Sequence, residues 1–423
     1  MSSTYHGTFT EGRPHRPFPV LLRPADEAEG AAILRELPDA SGVMLFGALR
    51  DVMLWLLAPQ DERGALFPQG AAQVRRERIE GAVVEPDLMQ LLIRMAAVTD
   101  AAGDHSQEDV GAICAEVATW AGANDLPHTE LAFTQACAIA LPEVPAHALR
   151  TARLARDLNH YVGAETWFRT TIKIARLQRD WSTYVDAFRG LGTFYLRIGN
   201  TPAARTTFDR TLLLAKRYRL RELIGAAHHD LFQVYADAGE IRPAYEHAIA
   251  ARRAYGTLND YLVRLAADLG QFWIVLGRPH RAAPIFERLI ERAPTKELAA
   301  LWTANLVRAS ALSGLQDRYE SARNLALNFV NSIKKPLRLA ECFVIVALAD
   351  LAMEEWERAR STANKALVTA ERVGSAEIQI KAEEILQAAA RRRNVTLAET
   401  AETPGLARIG ENLAEQLSEA VAS

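Results

Sequence analysis

Cysteine is nearly absent from this 423-residue chain, which carries only Cys114, Cys137 and Cys342, far apart inside apolar runs. An odd, sparse set argues against a disulfide framework, and no CxxC or Cys/His cluster marks a zinc site. Aromatic residues make up only 7% while Ala, Leu, Arg and Glu dominate, a balance that favours helix over strand. No charge of one sign prevails: the formal net charge is −3, so the chain lacks the overall basicity of a nucleic-acid binder. Long hydrophobic runs are missing too. The most apolar stretch, Val43 to Leu57, is interrupted by Arg50 and Asp51 and falls short of the roughly 20 residues that span a bilayer. It reads as a buried core helix. Residues 1–25 are polar, contain Pro14, Pro17 and Pro19, and lack the apolar centre of a signal peptide. The expectation is a soluble, cytoplasmic protein that opens on an extended, flexible segment.

Signatures of catalysis are also missing. There is no GxGxxG after a strand, no GxxxxGK[ST], no HExxH and no GxSxG. The nearest approach to a metal cluster is His228-His229-Asp230 with His247 on the following helix. Neighbours on a helix point about 100° apart, so His228 and His229 do not readily face one ion; they read as polar residues of a helix face. Cys114 and Cys137 read as small core residues. Glu354 and Glu355 fall in a turn between helices and read as solvated. No catalytic residue, metal ligand or cofactor is expected.

What the chain does contain is self-similarity. One unit runs Leu191-Gly192, Tyr195, Gly199, Ala204, Phe208; the next carries Leu231, Tyr235, Gly239 and Ala244 at the same offsets. A third has Leu269-Gly270, Trp273, Gly277, Ala282, Phe286 and then Pro294, which stops its second helix. Weaker copies flank these three: Ala164 and Phe168 in a unit starting near His147, Leu306 and Gly314 in another, Trp356, Ala359, Ala363 and Ala366 in a third. The small residues let two helices approach closely, and the aromatics fill the space between them. In spacing and residue type this resembles the tetratricopeptide repeat (TPR), of the bacterial regulatory or scaffold type, over roughly residues 107–390. Unit starts lie about 37 to 40 residues apart, longer than the standard 34 or so. The resemblance implies an all-α fold, a right-handed α-α superhelix, with 107–393 as a TPR-like solenoid.

Two further segments complete the organisation. Residues 26–106 read as helices over Ala25–Glu36, Gly42–Leu57, Gly70–Ile79 and Leu88–Thr99, either an N-terminal helical cap or diverged repeats. Met44, Leu45, Leu49, Val52, Met53 and Leu56 form an apolar stripe too wide for a solvated helix, and a solenoid needs such caps because its end repeat exposes an apolar face. At the other end, 394–423 reads as a linker plus an acidic amphipathic tail helix that sets Leu406, Ile409, Leu413, Leu417 and Val421 on one stripe. Five acids (Glu399, Glu402, Glu411, Glu415, Glu419) stand there against one base, Arg408.

The TPR resemblance implies a concave groove lined by the first helix of each repeat. In register, those positions are Arg153, Arg189, Thr193, Arg197, His229, Gln233, Arg264, Gln271, Asn305 and Arg308. Five arginines with amides would make a basic groove suited to an acidic peptide or helix, since guanidinium forks match carboxylates. The plainer reading pairs them with acids such as Asp186, Asp230 and Asp268. The family's carboxylate clamp for chaperone tails is not reproduced: its positions hold Arg189, Thr193, Asp230 and Arg264. The expected function is a non-catalytic interaction scaffold or adaptor whose partner is another protein with an acidic segment. The tail is expected to dock in the groove in competition, to cap the solenoid, or to bind a partner. The alternatives are a peptide- or ligand-responsive regulator and a self-assembling subunit. Such regulators often carry a DNA-binding helix-turn-helix, but Arg75-Arg76-Arg78 is a short basic run with no clear recognition helix after it.

Overall fold

The structure is a computed structural model that describes residues 27–37, 39–100, 102–257, 259–330, 332–333, 335–393 and 402–422. The expected extended segment 1–25 and the linker residues 394–401 lie outside them. Among the described residues every regular element is helical. The chain forms two compact units, Met1–Leu220 and Arg221–Ser423.

The first unit opens on four helices, α1 (Glu27–Glu36), α2 (Ala40–Leu57), α3 (Ala71–Glu80) and α4 (Pro86–Ala97). Asp39 starts α2 by accepting the backbone N–H of Ser41 at 2.9 Å. By length and composition α2 could cross a membrane, yet half of that stretch is buried inside the fold. Its Leu45, Leu49, Val52, Met53 and Trp55 are all within 1% of full burial, while Leu56 is only half-buried. Asp51, which breaks the apolar run, is buried and forms an ion pair with Arg75 of α3. The Trp55 indole donates to the Ala102 carbonyl at 2.6 Å and carries the Arg63 guanidinium 3.9 Å above its ring.

Three helix pairs follow: α5 (Gln107–Ala123) with α6 (Pro127–Ala140), α7 (Pro145–Asp157) with α8 (Tyr161–Gln178), and α9 (Trp181–Arg197) with α10 (Thr201–Arg217). One core runs without a break from Ile33 and Leu45 through Leu92 and Met95 to Val117 and Phe133, so the N-terminal helices cover the first pair. A carboxylate fixes the join. Glu36, the last residue of α1, accepts the N–H groups of His128 and Thr129 at 2.7 and 2.8 Å and the Thr129 hydroxyl at 2.7 Å. Those N–H groups belong to the first turn of α6, where donors lack intrahelical partners and negative charge is favoured.

The second unit continues with α11 (Arg221–Asp237) and α12 (Ile241–Tyr255), α13 (Asn259–Val275) and α14 (Pro279–Glu291), α15 (Lys296–Leu312) and α16 (Gln316–Val330), α17 (Pro336–Ala352) and α18 (Trp356–Val373), then α19 (Ala376–Ala390) and the tail α20 (Pro404–Ala422). First helices from α5 to α19 begin about 36 to 40 residues apart, in keeping with the spacing read from sequence.

One turn recurs in both units. Asp125, Asn159, Gly199, Gly239, Gly277, Gly314, Glu354 and Arg392 all have φ between 50° and 76° and each follows a first helix. The residue after each donates its N–H to a carbonyl five positions back: Leu126 to Ala121 (3.0 Å), His160 to Ala155 (2.8 Å), Asn200 to Tyr195 (2.8 Å), Glu240 to Tyr235 (2.9 Å), Arg278 to Trp273 (2.8 Å), Leu315 to Ser310 (3.1 Å), Glu355 to Asp350 (2.9 Å) and Arg393 to Ala388 (2.9 Å). This is the Schellman closure, which satisfies carbonyls left open at a helix end. It sets one register for every pair, including α5–α6 and the half-repeat α19.

Close approach within pairs depends on missing side chains. A Cβ on Gly192 would stand 2.5 Å from the Phe208 ring, on Gly270 2.8 Å from Phe286 and on Gly225 2.5 Å from Tyr255. Real Cβ atoms do not come so near, so these glycines let the second-helix aromatics lie flat against the first helix. Phe208 and Phe286 are fully buried as a result, each worth about 1.5–3 kcal/mol of transfer free energy.

Candidate functional site

Arg189, Thr193 and Arg197 follow one another at helical spacing on α9 and so share a face. In the first unit the groove residues are partnered. Arg153 on α7 donates to Asp186 on α9 at 2.6 Å. The Thr193 hydroxyl bonds the Arg189 carbonyl at 3.2 Å, and Arg189 is half-buried. Arg197 reaches back to Asn159 at 3.2 Å and to the Asp157 carbonyl at 3.3 Å, at the turn after α7.

In the second unit His229 is 8% exposed; its Nε2 lies 2.8 Å from Asp268 and its Nδ1 3.3 Å from the Tyr255 hydroxyl. Gln233 donates to the same Asp268 oxygen at 2.8 Å. Asn305 is 2% exposed and its amide bonds the Leu301 carbonyl at 2.9 Å, so it faces inward. Arg308 is half-buried, and burial pulls its guanidinium below the usual pKa. Arg264 and Gln271 on α13 are exposed. The acids considered as partners are accordingly occupied: Asp186 by Arg153, Asp268 by His229 and Gln233, while Asp230 is buried.

The adjacent histidines diverge as helix geometry requires: His228 Nδ1 meets His247 Nδ1 at 3.0 Å, whereas His229 turns to Asp268. Among the described residues no group of three or more His, Cys, Asp or Glu side chains could hold a metal ion. All three cysteines are buried, and burial raises the Cys137 thiol to about 11 and the Cys342 thiol to about 12. At neutral pH these stay thiols rather than nucleophilic thiolates. Glu354 sits in the left-handed turn position after α17, exposed.

The most elaborate polar site is one that the sequence reading did not assemble. The tail α20 lies on α12, α13 and α14. Glu402, two residues before this helix, has a fully buried side chain, 0% exposed. One oxygen accepts the Tyr245 hydroxyl at 3.0 Å; the other accepts Arg281 Nη1 at 3.1 Å and forms an ion pair with Arg278, whose Nε lies 3.1 Å away. Tyr245 in turn accepts the Trp273 indole N–H at 2.8 Å. Burial and then the neighbouring carboxylate push the Tyr245 phenol well above its ordinary range, which keeps it a donor. Arg281 also holds Glu411 at 2.9 Å. Further along, a Cβ on Gly410 would stand 2.5 Å from the Tyr245 oxygen, so the tail backbone passes directly over that ring. Leu413 and Leu417 are 1% and 0% exposed, Leu406 is half-buried, and Ile409 is 38% exposed. The inward line of the tail is therefore Leu406, Gly410, Leu413 and Leu417; the Val421 side chain lies outside the described set. Tyr245, Trp273, Arg278 and Arg281 are not among the groove positions. The signal available in the sequence was the pair Arg278 and Arg281 at one turn, where the α9–α10 turn has Asn200 and Ala203 and the α11–α12 turn has Glu240 and Pro243.

Aligned on their turns, the pairs place Leu191-Gly192, Leu231 and Leu269-Gly270 eight and seven residues before the left-handed position, and Ala204, Ala244 and Ala282 five after it. In the first and third of these pairs Gly192 and Gly270 face the rings of Phe208 and Phe286 on the second helix. The chain is a TPR-like all-α repeat protein. No protein-family model matches this TPR-like chain, and no curated protein does. Solved structures similar to it include aspartyl phosphate phosphatase F from Bacillus subtilis, 11% identical, covering 86% of this chain and 98% of that one with a TM-score of 0.45. The Cut9–Hcn1 hetero-tetramer of the APC/C is 15% identical, with 86% and 72% covered and a TM-score of 0.43. The TPR2AB domain of yeast Sti1 in complex with pHSP90 is 14% identical, with 67% and 99% covered and a TM-score of 0.26. With TM-scores under 0.5, the TPR-like assignment rests on this chain's own turns and helix packing.

Proposed function

We propose that this TPR-like protein is a non-catalytic interaction scaffold or regulator whose first-helix arginines and amides take an acidic segment of a partner protein. The observation that carries the proposal is the exposed pair Arg264 and Gln271, seven residues apart on α13 and so on one face of it. Guanidinium forks pair with carboxylates, and amides bond an extended backbone. In the first unit the corresponding face is that of Arg189 and Arg197, where an incoming carboxylate competes with the acids already present, such as Asp157.

The tail enters through α13. That helix presents Arg264 and Gln271 to solvent and Trp273 toward the Tyr245–Glu402 contact. A peptide that binds better to one placement of α13 changes the seating of the tail, and by linkage the tail changes the peptide's affinity by the same factor. This favours the regulator over a passive adaptor. Competition by the tail is then indirect.

The test is an array of acidic, neutral and basic peptides probed with the full chain and with Arg189→Glu and Arg264→Glu. Acidic peptides are expected to bind preferentially and to lose at least tenfold on charge reversal. Equal binding of basic peptides, or indifference to both substitutions, overturns the proposal.

A further inference from the structure

The seat of the tail is a carboxylate site that the repeats leave incomplete by themselves. Comparison of equivalent positions makes this visible. The fourth residue after the left-handed turn is arginine in three successive pairs: Arg281, Arg318 and Arg358. Arg318 reaches Glu287 and Arg358 reaches Glu320, both at 2.6 Å and both on the preceding second helix. The position on α12 equivalent to Glu320 is Tyr245, a donor where the later repeat has an acid. Arg281 is therefore matched by a carboxylate from outside the helix pairs, that of Glu402. Arg278 adds a second guanidinium. The Tyr245 hydroxyl accepts from Trp273 and donates its own proton to Glu402. The donors converge on one point that accommodates two carboxylate oxygens.

We infer that this surface of α12, α13 and α14 is an exchangeable binding site for an acidic amphipathic helix of a partner protein, filled in this structure by the chain's own tail. The segment it fits carries a carboxylate just before its helix, then glycine 8 residues on, then leucines at 11 and 15, as Glu402, Gly410, Leu413 and Leu417 do. Each feature has a counterpart: the carboxylate on Arg278, Arg281 and Tyr245, the glycine on the Tyr245 ring, the leucines in the buried strip. Among the described tail residues only Leu413 and Leu417 are fully buried apolar anchors, Ile409 is 38% exposed, and the tether supplies effective concentrations of order mM without adding contacts. A partner helix with the same pattern and a better apolar strip displaces it. The inference goes beyond the acidic-peptide reading of Arg189 and Arg264, and its test separates the two.

The experiment uses the full chain with its tail unseated by Leu413→Glu and Leu417→Glu, and in parallel by Gly410→Phe, each checked by circular dichroism. The probe is a fluorescent synthetic peptide of residues 402–422. It is expected to bind both unseated chains at least tenfold more tightly than the wild-type chain. Glu402→Gln in the peptide, or Arg281→Glu in the unseated chain, should weaken it at least tenfold, and Arg264→Glu should leave it unchanged. Failure to bind whichever variant is folded, or indifference to Glu402→Gln, overturns the inference. Loss of binding on Arg264→Glu places the peptide on the first-helix face and also overturns it. A wild-type dimer in ultracentrifugation that Leu413→Glu with Leu417→Glu dissociates makes a second copy's tail the occupant instead.

Discussion

Two carboxylates of the second unit, Asp350 and Glu402, have side chains that are 0% exposed, and each accepts from a tyrosine and from arginine. Asp350 receives the Tyr319 hydroxyl at 2.7 Å, Arg323 at 2.7 and 3.1 Å and the Thr362 hydroxyl at 3.0 Å, all from α16 and α18 around it. It occupies the same place in its repeat as Trp273 does in α13, four residues before the left-handed turn. One repeat thus carries its acid within a helix of the pair; the other has an indole there and takes its acid from a separate segment. A buried charge built into the packed helices cannot leave without opening them. One brought in by a tail can leave alone, and water then reaches the donors. The same chemistry is architecture at α17 and a reversible contact at α20.

The largest expected effect follows from that contrast. Asp350→Ala strands the Arg323 guanidinium and should cost about 3–5 kcal/mol, read as a fall in Tm of about 10 °C in thermal melts. If Asp350→Ala proves no worse than Glu402→Ala, the contrast fails. Glu402→Ala should cost about 1–2 kcal/mol, because the released donors are rehydrated. Hydrogen exchange should then quicken over α20 and leave α17 protected. Gly410→Val pushes a methyl-bearing carbon into Tyr245 and should also free the tail, at about 1–3 kcal/mol. Gly405→Ala meets nothing within 4 Å and should stay within about 0.5 kcal/mol, so proteolysis of the tail sharpens the distinction between the two glycines. Arg264→Glu, on the exposed face of the same helix that bears Trp273, should likewise change stability by less than about 0.5 kcal/mol.

The smallest effect lies away from both carboxylates. Burial, and then the charge of Arg150, lower the pKa of His147 on α7. The neutral ring is the form the fold favours, so its contribution is complete above the unfolded pKa of about 6.5 and is lost as pH falls through the folded value. Melts between pH 5 and 7 should show the wild type losing a few tenths of a kcal/mol more than His147→Gln.

Much of the fold was legible in the residues, because local chemistry dictates it. Gly199, Gly239 and Gly277 announce left-handed turns, and Phe208 and Phe286 stand where Gly192 and Gly270 leave room. Helix ends came out within a few residues: Gly42–Leu57 was read where α2 runs Ala40–Leu57, and Leu406–Val421 where α20 runs Pro404–Ala422. The site was less legible. A helical register says which face a side chain shares, not what meets it. Asn305 was read as a groove position yet is buried and bonds the Leu301 carbonyl of its own helix, and His229 is taken up by Asp268 on the next first helix. On the tail, the apolar stripe included Ile409, whereas Gly410 faces inward because only a residue without a side chain clears Tyr245.

The amino-acid order by itself determined helices of known length, turns at fixed intervals and faces that must be buried, since backbone preference and apolar periodicity act within about ten residues. Which carboxylate answers Arg281 was decided only in three dimensions. Glu402 lies more than a hundred residues away, and the free energy of burying its charge exists only when Tyr245, Arg278 and Arg281 converge on it.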